Sequence, residues 1–344
     1  MNEFDDVRQP RRTAPRAATG STLRAALLGL LLGAAAHSGF AFDLQGHRGA
    51  RGLAPENTLA AFRTALRIGV STLETDLALT ADGVLVLSHD PRLNAALART
   101  PDGRWLAADG PPIRGLTAAE LAGYDVGRID PSHRYARSFP QQVPADGERM
   151  PTLGQLFALA RGAKSPGGRP VRFNIETKLT PDDATLTATA EQFAEALARE
   201  LEGAGMVERT TVQSFDWRSL RALQRRAPAV RTVCLTIESD AMDTVRADAS
   251  GASPWHAGLR RADHAGSLVR TVQAAGCAAW SPFWRNLTAA AVAEAHALGL
   301  AVIPWTVNAA ADIEGMLELG VDGLITDYPD RAREVLARRG VAID

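Results

Sequence analysis

LQGHRGARGLAPENTLAAFRTALRIGVSTLETDLALT, residues 44–80, contains the unit on which the fold is built. Apolar runs at its two ends, 44–47 and 72–80, are typical of buried strands. Residues 58–69, which lie between them, have the apolar periodicity of an amphipathic helix. The segment therefore predicts a strand, a polar turn, a helix and a second strand.

The same alternation continues along the rest of the chain. Amphipathic helices are predicted at 217–226 and 287–299, and no G-x-G-x-x-G follows the first strand, which argues against a dinucleotide-binding fold. Eight strand–helix units over about 300 residues predict an α/β fold, a (β/α)8 barrel, rather than an open sheet. The predicted strands are residues 44–47, 72–80, 171–176, 210–215, 231–237, 277–283, 301–307 and 323–326.

The polar turn after the first strand contains residues that neither neighbouring element requires. Asn57 or Thr58 can cap the following helix, and Gly69 can end it. His47 and Arg48, in contrast, are not expected in a buried strand, and a helix does not need them to begin. This turn is therefore interpreted as the mouth of a site.

The composition limits the classes of partner. The chain has 344 residues, of which 46% are hydrophobic, so it can fill a large core. Its formal net charge of −1 gives no reason to expect a nucleic-acid partner. Nearly all basic residues are arginines, the exceptions being Lys164 and Lys178, and this rarity is a weak indication that Lys178 has a specific role.

Residues 1–41 are typical of an export signal. Five arginines precede an apolar run at 25–36, and small residues follow that run up to Ala41, where cleavage is expected. The apolar run is too short to be a stable membrane span. We expect a periplasmic or secreted protein whose mature domain is residues 42–344. An uncleaved anchor is the alternative.

Both cysteines, Cys234 and Cys277, lie in apolar, strand-like runs. An exported protein could oxidise them to a disulfide. Because cysteine is among the most frequently buried residue types, two buried thiols are the favoured interpretation.

Residues 91–150 interrupt the alternation of strands and helices. They are rich in Pro, Gly, Asp and Arg and are too long for an ordinary loop between a strand and a helix. We interpret them as an insertion that packs over the catalytic end of the barrel, where long loops of this fold determine specificity. A disordered surface loop is the alternative, although Trp105, Tyr124, Tyr135 and Phe139 give the segment aromatic side chains to bury.

A hairpin is predicted within TLETDLALTADGVLVLSHD, residues 72–90. Two alternating apolar runs flank Asp82 and Gly83, a pair that strongly favours a two-residue turn. In that register Ala81 pairs with Val84, and this pairing fixes which of the more distant residues lie opposite one another.

Charged side chains gather on one face of this predicted hairpin. The register places Asp76 opposite His89, and Glu74 projects to the same face because it lies two residues away. A salt-bridged solvent face would also contain acids, but it would not explain the histidine. Glu176, followed by Lys178, ends another predicted strand, and this is where (β/α)8 barrels place their active-site residues. We therefore expect all five side chains at one site.

The residue types at this site indicate its chemistry. Three carboxylates form an all-oxygen ligand set, which suits one hard divalent cation, Mg²⁺ or Ca²⁺, better than zinc. Arg48 and Lys178 near such a cation suit a phosphate group, whose charge they would stabilise. His47 and His89 supply an acid and a base for P–O cleavage near neutral pH.

Further motifs follow the hairpin along the chain: NIETK (174–178), VQSFD (212–216), PWTVN (304–308) and GLITDYPD (323–330). Together with HRGARGLAPENTLAAFRTAL (47–66) and LETDLALTADGVLVLSHD (73–90), they resemble the signature of the glycerophosphodiester phosphodiesterase family. The resemblance covers nearly all of the predicted mature chain.

The resemblance implies a fold, an activity and residue roles. It implies a (β/α)8 barrel that hydrolyses glycerophosphodiesters to sn-glycerol 3-phosphate and an alcohol. Trp305 is assigned to the pocket on this basis, although core packing would explain it equally well. The implied roles are acid and base for His47 and His89, cation ligation for Glu74, Asp76 and Glu176, phosphate binding for Arg48 and Lys178, and the glycerol-side wall for Phe215 and Trp305.

Two other functions are kept open. A lysophospholipase-D-like hydrolase on the same barrel would need an apolar trough for an acyl chain near the mouth, and the hydrophilic insertion argues against one. A non-catalytic binding protein for phosphorylated polyols would not need both histidines and all three carboxylates.

Overall fold

A computed structural model describes residues 41–183 and 185–344, so the predicted export signal lies outside the described residues except for Ala41. The strands within these ranges are β1 (Asp43–Gly46), β2 (Thr72–Leu79), β3 (Leu85–Leu87), β4 (Arg172–Thr177), β5 (Thr210–Ser214), β6 (Arg231–Thr236), β7 (Ala279–Pro282), β8 (Ala301–Val302) and β9 (Gly323–Thr326). The α-helices are α1 (Leu59–Ile68), α2 (Ala118–Leu121), α3 (Leu153–Ala160), α4 (Ala190–Ala204), α5 (Trp217–Arg226), α6 (Leu268–Ala274), α7 (Ala289–Ala297), α8 (Ala310–Leu319) and α9 (Pro329–Arg338). None of these helices is both long enough and apolar enough to cross a membrane.

All the strands of the described chain except β3 form a parallel barrel. Neighbouring strands follow the order β9, β1, β2, β4, β5, β6, β7, β8. The barrel closes between β8 and β9, where the Asp322 N–H donates to Val302 O (3.0 Å) and the Ile325 N–H donates to Pro304 O (2.9 Å). The predicted (β/α)8 barrel is confirmed.

The predicted strands agree with the observed ones within a few residues, with one exception. The run 301–307 forms a strand only at Ala301–Val302. Pro304 has no N–H to donate to a neighbouring strand, so the regular ladder ends before it. Beyond this proline, Trp305 is joined to Phe283 by an isolated bridge.

Helix α1 begins and ends at residues that the sequence offers for those roles. Thr58 is the N-cap, because its hydroxyl accepts a hydrogen bond from the Ala61 N–H at 3.2 Å. Gly69 ends the helix with a φ of +89°, a conformation that glycine adopts without strain. Of the two predicted caps, Asn57 is therefore not used, and its side chain serves the site described below.

The barrel interior has an apolar side and a polar side. The apolar side, toward β6–β9, is formed by Val233, Ala279, Ile303 and Ile325. On the polar side, the buried Asn174 amide donates to Gln45 Oε1 and to Gln213 Oε1, each at 2.8 Å. Gln213 in turn donates to Glu74 Oε1 at 2.9 Å, so a layer of hydrogen-bonded amides supports the first carboxylate of the predicted site.

The prediction of two free thiols is wrong. Cys234 on β6 and Cys277, which precedes β7, form a disulfide, with Cα atoms 5.9 Å apart. Both residues are buried, as expected. The pairing follows from the adjacency of β6 and β7 in the barrel, which brings the two Cα atoms within the range of a disulfide.

Residues 91–150 fold against the β2–β3 hairpin and against the polar turn after β1. An apolar cluster includes Leu93, Ile113 and Leu121 from this segment together with Ala78 and Val86 from the hairpin. At the polar turn, the Val143 N–H donates to Leu53 O at 2.9 Å, and Gln142 donates to Arg51 O at 2.8 Å. The segment therefore lies beside the C-terminal ends of β1 and β2.

Candidate active site

Three buried carboxylates converge at the C-terminal ends of β2 and β4. Asp76 and Glu176 are register partners on these adjacent parallel strands, and Glu74 lies two residues before Asp76 on the same face. One oxygen from each of the three carboxylates lies within 4.8 Å of the other two. The structure thus brings together the three acids that the sequence assigned to one cation, and their geometry is compatible with a divalent metal.

The carboxylates influence one another because burial removes the screening of water. Burial and the charge of Asp76 raise the pKa of Glu74 well above its ordinary value. Burial also raises the pKa of Glu176 to about 7, although Lys178 opposes this effect. Burial would raise the pKa of Asp76 as well, but Lys178 and Arg48 hold it well below its ordinary value. Asp76 is therefore the carboxylate that stays charged.

The two predicted phosphate-binding cations contact these acids. Lys178 Nζ lies 2.7 Å from Glu176 Oε1 and 3.1 Å from Asp76 Oδ1. Arg48 Nε lies 3.1 Å from Asp76 Oδ2, and the Arg48 backbone N–H donates to Glu74 Oε2 at 2.8 Å. Both side chains therefore lie beside the proposed cation ligands, where a phosphate bound to that cation would meet them.

His47 is held by a carboxylate that the predictions did not include. Its Nδ1 lies 2.6 Å from Asp327 Oδ1, directly after β9, and Arg51 and Asn308 donate to the same carboxylate. Because a carboxylate only accepts, His47 Nδ1 carries the proton, and Nε2, 4.0 Å from Glu74 Oε2, has a lone pair. Burial and the nearby Arg51 lower the pKa of His47 to about 4, so the ring is neutral near pH 7.

His89 reaches the site by a route that differs from the predicted one. Observed pairs run from Leu79↔Leu85 to Leu77↔Leu87, so the register is shifted by one residue and Asp76 lies opposite Ser88. Strand β3 ends at Leu87, and the chain then bends. His89 lines a cavity together with Glu56, Asn57 and Asp90.

The predicted two-residue turn is wrong because the Asp82 side chain forms other hydrogen bonds. It accepts from the Thr80 hydroxyl at 2.6 Å and from the Ala118 N–H at 3.1 Å. Gly83 adopts a φ of +78°, and the Thr80 N–H donates to Val84 O at 3.0 Å. The result is a three-residue loop rather than the predicted two-residue turn.

His89 also has a carboxylate partner. Its Nδ1 lies 3.2 Å from Asp90 Oδ1, and Asn94 holds the other oxygen of Asp90 at 2.7 Å. Burial and the charges of Arg48 and Lys178 lower the pKa of His89 to about 4. Each of the two candidate catalytic histidines is therefore neutral and oriented through Nδ1 by an aspartate.

Aromatic side chains form one wall near the site. The Phe215 and Trp305 rings lie edge to face with centroids 5.3 Å apart, and neither residue is fully buried. Trp255 contacts Phe215, and Phe283 contacts Trp305, at centroid distances of 6.5 and 5.6 Å. Trp305 also packs against the apolar cluster of the barrel interior, so its assignment to a pocket wall stays a prediction.

Neutral amides that the sequence did not reveal hold the acids in place. Asn57 donates to Asp76 Oδ2 at 3.0 Å, and the Thr75 hydroxyl donates to Asn57 Oδ1 at 2.9 Å. Amides give no charge pattern, so no local signal identified Asn57 or Gln213. Asp327 could have been found, because it directly follows the predicted strand 323–326, at the end where (β/α)8 barrels place their active-site residues.

Comparisons with known proteins agree with this geometry. A family model, the glycerophosphoryl diester phosphodiesterase family, matches residues 47–331. A glycerophosphodiester phosphodiesterase of Caldanaerobacter subterraneus subsp. tengcongensis is 30% identical over 294 residues, which cover 86% of this chain and 97% of that protein. One from Bacillus altitudinis is 28% identical, covering 84% of this chain and 96% of that protein.

Solved structures extend the comparison to three dimensions. The structure of a proposed glycerophosphoryl diester phosphodiesterase from Silicibacter pomeroyi is similar with a TM-score of 0.76 and 35% identity, covering 88% of this chain and 96% of that one. An Oleispira antarctica phosphodiesterase, solved with sn-glycerol-3-phosphate, has a TM-score of 0.61 and 21% identity, covering 87% of this chain and 98% of that one, and it supports the fold.

Proposed function

This chain belongs to the glycerophosphoryl diester phosphodiesterase family and is a glycerophosphodiester phosphodiesterase, and from that premise we propose a metal-dependent mechanism with two catalytic histidines. The products would be sn-glycerol 3-phosphate and an alcohol. The observation that carries the proposal is the convergence of Glu74, Asp76 and Glu176 within 4.8 Å beside two aspartate-oriented histidines.

The residues present fit a hard divalent cation. All three candidate ligands are carboxylates, the donors that Mg²⁺ and Ca²⁺ prefer. Asp76 Oδ1 is buried and, within the described chain, accepts no hydrogen bond, although the Lys178 ammonium lies 3.1 Å away. A bound cation would offset the mutual repulsion of the acids, and it would stabilise the charge that develops on the phosphate oxygens during P–O cleavage.

The histidines would move the protons. As the P–O bond to the alcohol breaks, the leaving oxygen takes a proton from one imidazolium, and the other ring removes a proton from the water that attacks phosphorus. Both rings are neutral near pH 7, since their pKa values are about 4. An anionic diester raises the pKa of the ring that it contacts, and this favours the protonated form of the acid.

The remaining residues would bind the substrate. We assign Arg48 and Lys178 to the phosphate, because both cations already flank the carboxylate cluster. Phe215 and Trp305 would face the glycerol carbons, for which a partly exposed aromatic wall is suited. The substrate is thus a small glycerophosphodiester.

Export is part of the proposal. The arginines and the apolar run within residues 1–41 support removal of a signal peptide, which would leave residues 42–344 in the periplasm or outside the cell.

A coupled assay of glycerol 3-phosphate release from glycerophosphocholine tests this function. We expect turnover by the purified protein, loss of turnover after EDTA treatment and dialysis, and recovery when Mg²⁺ or Ca²⁺ is added back. The circular dichroism spectrum should not change, because the cation serves the chemistry rather than the core.

Three results would contradict parts of the proposal. Full turnover after chelation would show that the reaction does not require a metal. Faster hydrolysis of a lysophospholipid than of glycerophosphocholine would favour a lysophospholipase-D-like hydrolase. Binding of glycerol 3-phosphate without turnover of either diester would indicate a non-catalytic polyol-phosphate binding protein.

A further inference from the structure

The Tyr135 hydroxyl lies where the inserted segment 91–150 meets the active site. Tyr135 belongs to a short 3-10 helix, Arg134–Ser138, and only 4% of its surface is exposed. Its ring packs edge to face on Phe139 at 5.1 Å. Its hydroxyl points away from the segment's own residues and contacts Arg51 and Glu56, which belong to the polar turn after β1.

One chain of contacts leads from this hydroxyl to His47. Arg51 donates from NH1 to the Tyr135 oxygen at 3.2 Å. The same guanidinium donates to both oxygens of Asp327, from Nε at 2.9 Å and from NH2 at 3.1 Å. Asp327 then holds His47 Nδ1 at 2.6 Å. The phenol therefore supports the group that orients the histidine.

A second chain leads from the same hydroxyl to the carboxylate cluster. Tyr135 donates to Glu56 Oε2, and Glu56 Oε1 lies 2.5 Å from Arg48 NH1. Arg48 Nε lies 3.1 Å from Asp76 Oδ2. Every side chain in this second chain is buried. The phenol thus also supports the arginine that contacts the proposed cation ligand.

We propose that Tyr135 is a positioning residue for catalysis. Its hydroxyl connects the residues that hold His47 with the residues that hold Asp76. A phenol has one proton to donate and can also accept, and both capacities are used here. The inserted segment is then a part of the active site and does more than cover it. This inference rests on the proposed phosphodiesterase function.

Loss of the hydroxyl would disturb both chains. The second oxygen of Glu56 would lose its donor, and Arg51 NH1 would lose this acceptor, in a place where water does not readily replace them. Glu56 would then hold the Arg48 guanidinium less firmly, although Arg48 would keep its contact with Asp76. The protein would still fold, but its catalytic side chains would be displaced.

The test compares Tyr135→Phe with Tyr124→Phe. Tyr124 lies in the same segment and is partly buried in an apolar cluster, so it is the matched control for the loss of a phenol hydroxyl. With glycerophosphocholine and a saturating cation, we expect Tyr135→Phe to lower kcat by about 10-fold to 100-fold, the usual effect of an outer supporting group. KM should stay within a few-fold, because Arg48 keeps its contact with Asp76, and the control should match the wild type.

A double-mutant cycle with Glu56→Gln shows whether the effect runs through Glu56. We expect Glu56→Gln alone to lower kcat and the double variant to be hardly slower than the worse single variant. If Tyr135→Phe does not fold, Glu56→Gln alone carries the test, because it alters the acceptor of the hydroxyl and leaves Tyr135 intact.

The outcomes separate this inference from the function on which it rests. Unchanged kcat in either single variant, single losses that multiply in the double variant, or a rise in KM alone would overturn the role of Tyr135. A wild-type protein without turnover would instead overturn the proposed function.

Discussion

Polar and charged side chains lie at both ends of the group formed by strands β1, β2 and β4, and the two ends are arranged in opposite ways. At the N-terminal end, which we call the base, Arg172 pairs with Asp43 at 2.9 Å and with Asp344. The Ser71 and Thr72 hydroxyls donate to Asp43 at 2.7 and 2.6 Å. Asp43 and Arg172 therefore each face an opposite charge, and Asp43 also accepts from two hydroxyls.

At the C-terminal end, the mouth, the same strands place like charges side by side. In the β2–β4 register, Thr72 pairs with Arg172 at the base, whereas Asp76 pairs with Glu176 at the mouth. Burial raises the pKa of Glu176 to about 7, which is the sign of a group that the fold does not stabilise in its charged form. The base is arranged for stability, and the mouth is arranged for a ligand.

This contrast predicts that substitutions at the mouth reduce activity and spare stability, whereas substitutions at the base do the reverse. The largest effect is expected for Asp76→Asn. We expect kcat/KM to fall at least about 10³-fold, because charge stabilisation by a metal is worth several kcal/mol and each 1.36 kcal/mol is tenfold in rate. The unfolding temperature should change little, because two effects of Asn oppose each other. It reduces the charge repulsion on Glu74 and Glu176, and it removes a negative charge that pairs with Lys178.

Glu318→Gln, on the exposed face of α8, is the matched control and should behave as the wild type. Activity of Asp76→Asn within a few-fold of the wild type would contradict the metal assignment and with it the contrast between the two ends.

The histidines at the mouth come next. His47→Ala and His89→Ala should each lower kcat by roughly 10²–10⁴-fold, the range for a positioned acid or base. His264→Ala is the control, because His264 is only partly buried and lies in a short 3-10 helix, Arg261–His264, outside the site. Steady-state kinetics on glycerophosphocholine measures the effect, and a variant near wild-type rate would remove that histidine from the mechanism.

At the base, Arg172→Met should destabilise the protein and leave kcat unchanged. The methionine keeps the apolar stem but removes the pairing with Asp43 and Asp344, which we expect to cost about 2 kcal/mol, in the range for hydrogen bonds to charged groups. Thermal unfolding measures this loss against Arg339→Met, an exposed arginine whose nearest acid is 3.6 Å away. A fall in kcat with an unchanged unfolding temperature would contradict the contrast between the base and the mouth.

The smallest effect is a pH dependence at the mouth of the metal-free protein. The pKa of Glu176 is raised from 4.5 to about 7, so the folded state binds this proton more tightly than the unfolded state does. That contribution is complete below the unfolded pKa and is lost as the pH rises through the folded one. Above that window Glu176→Gln should therefore unfold at a slightly higher temperature than the wild type.

Unfolding in the presence of chelator, at about pH 5 and about pH 8, measures the difference, which should be larger at the higher pH. The gain is small because Lys178 loses a charged partner in the variant. An equal difference at both pH values would show that titration of Glu176 is not the cause.

The sequence predicted the barrel because buried parallel strands are short apolar runs separated by amphipathic helices, a pattern that local propensity alone reveals. The shortening of β8 could have been predicted as well, because Pro304 stands in the run and has no N–H to donate. The pairing of Cys234 with Cys277, in contrast, depended on a neighbour in space, because it required knowledge that β6 and β7 are adjacent.

The same division applies to the site. Glu74 and Asp76 were identified from one face of the predicted hairpin and Glu176 from the end of a strand, and the structure brings the three together. The hairpin register was wrong because the Thr80 hydroxyl and the Ala118 N–H, the latter from residues 91–150, donate to the Asp82 side chain. The link from Tyr135 to His47 could not have been predicted, because it runs through Arg51 and Asp327 and depends on how residues 91–150 fold.

The position of Phe42 has a consequence for how the enzyme meets its surroundings. The Phe42 N–H donates to Ala342 O at 2.8 Å and its carbonyl accepts from the Asp344 N–H at 3.1 Å, so both ends of the described chain are fastened at the base. Strand β1 then runs from there to His47 at the mouth. Any segment attached before Phe42 therefore joins the barrel at the base, at the end opposite the three carboxylates.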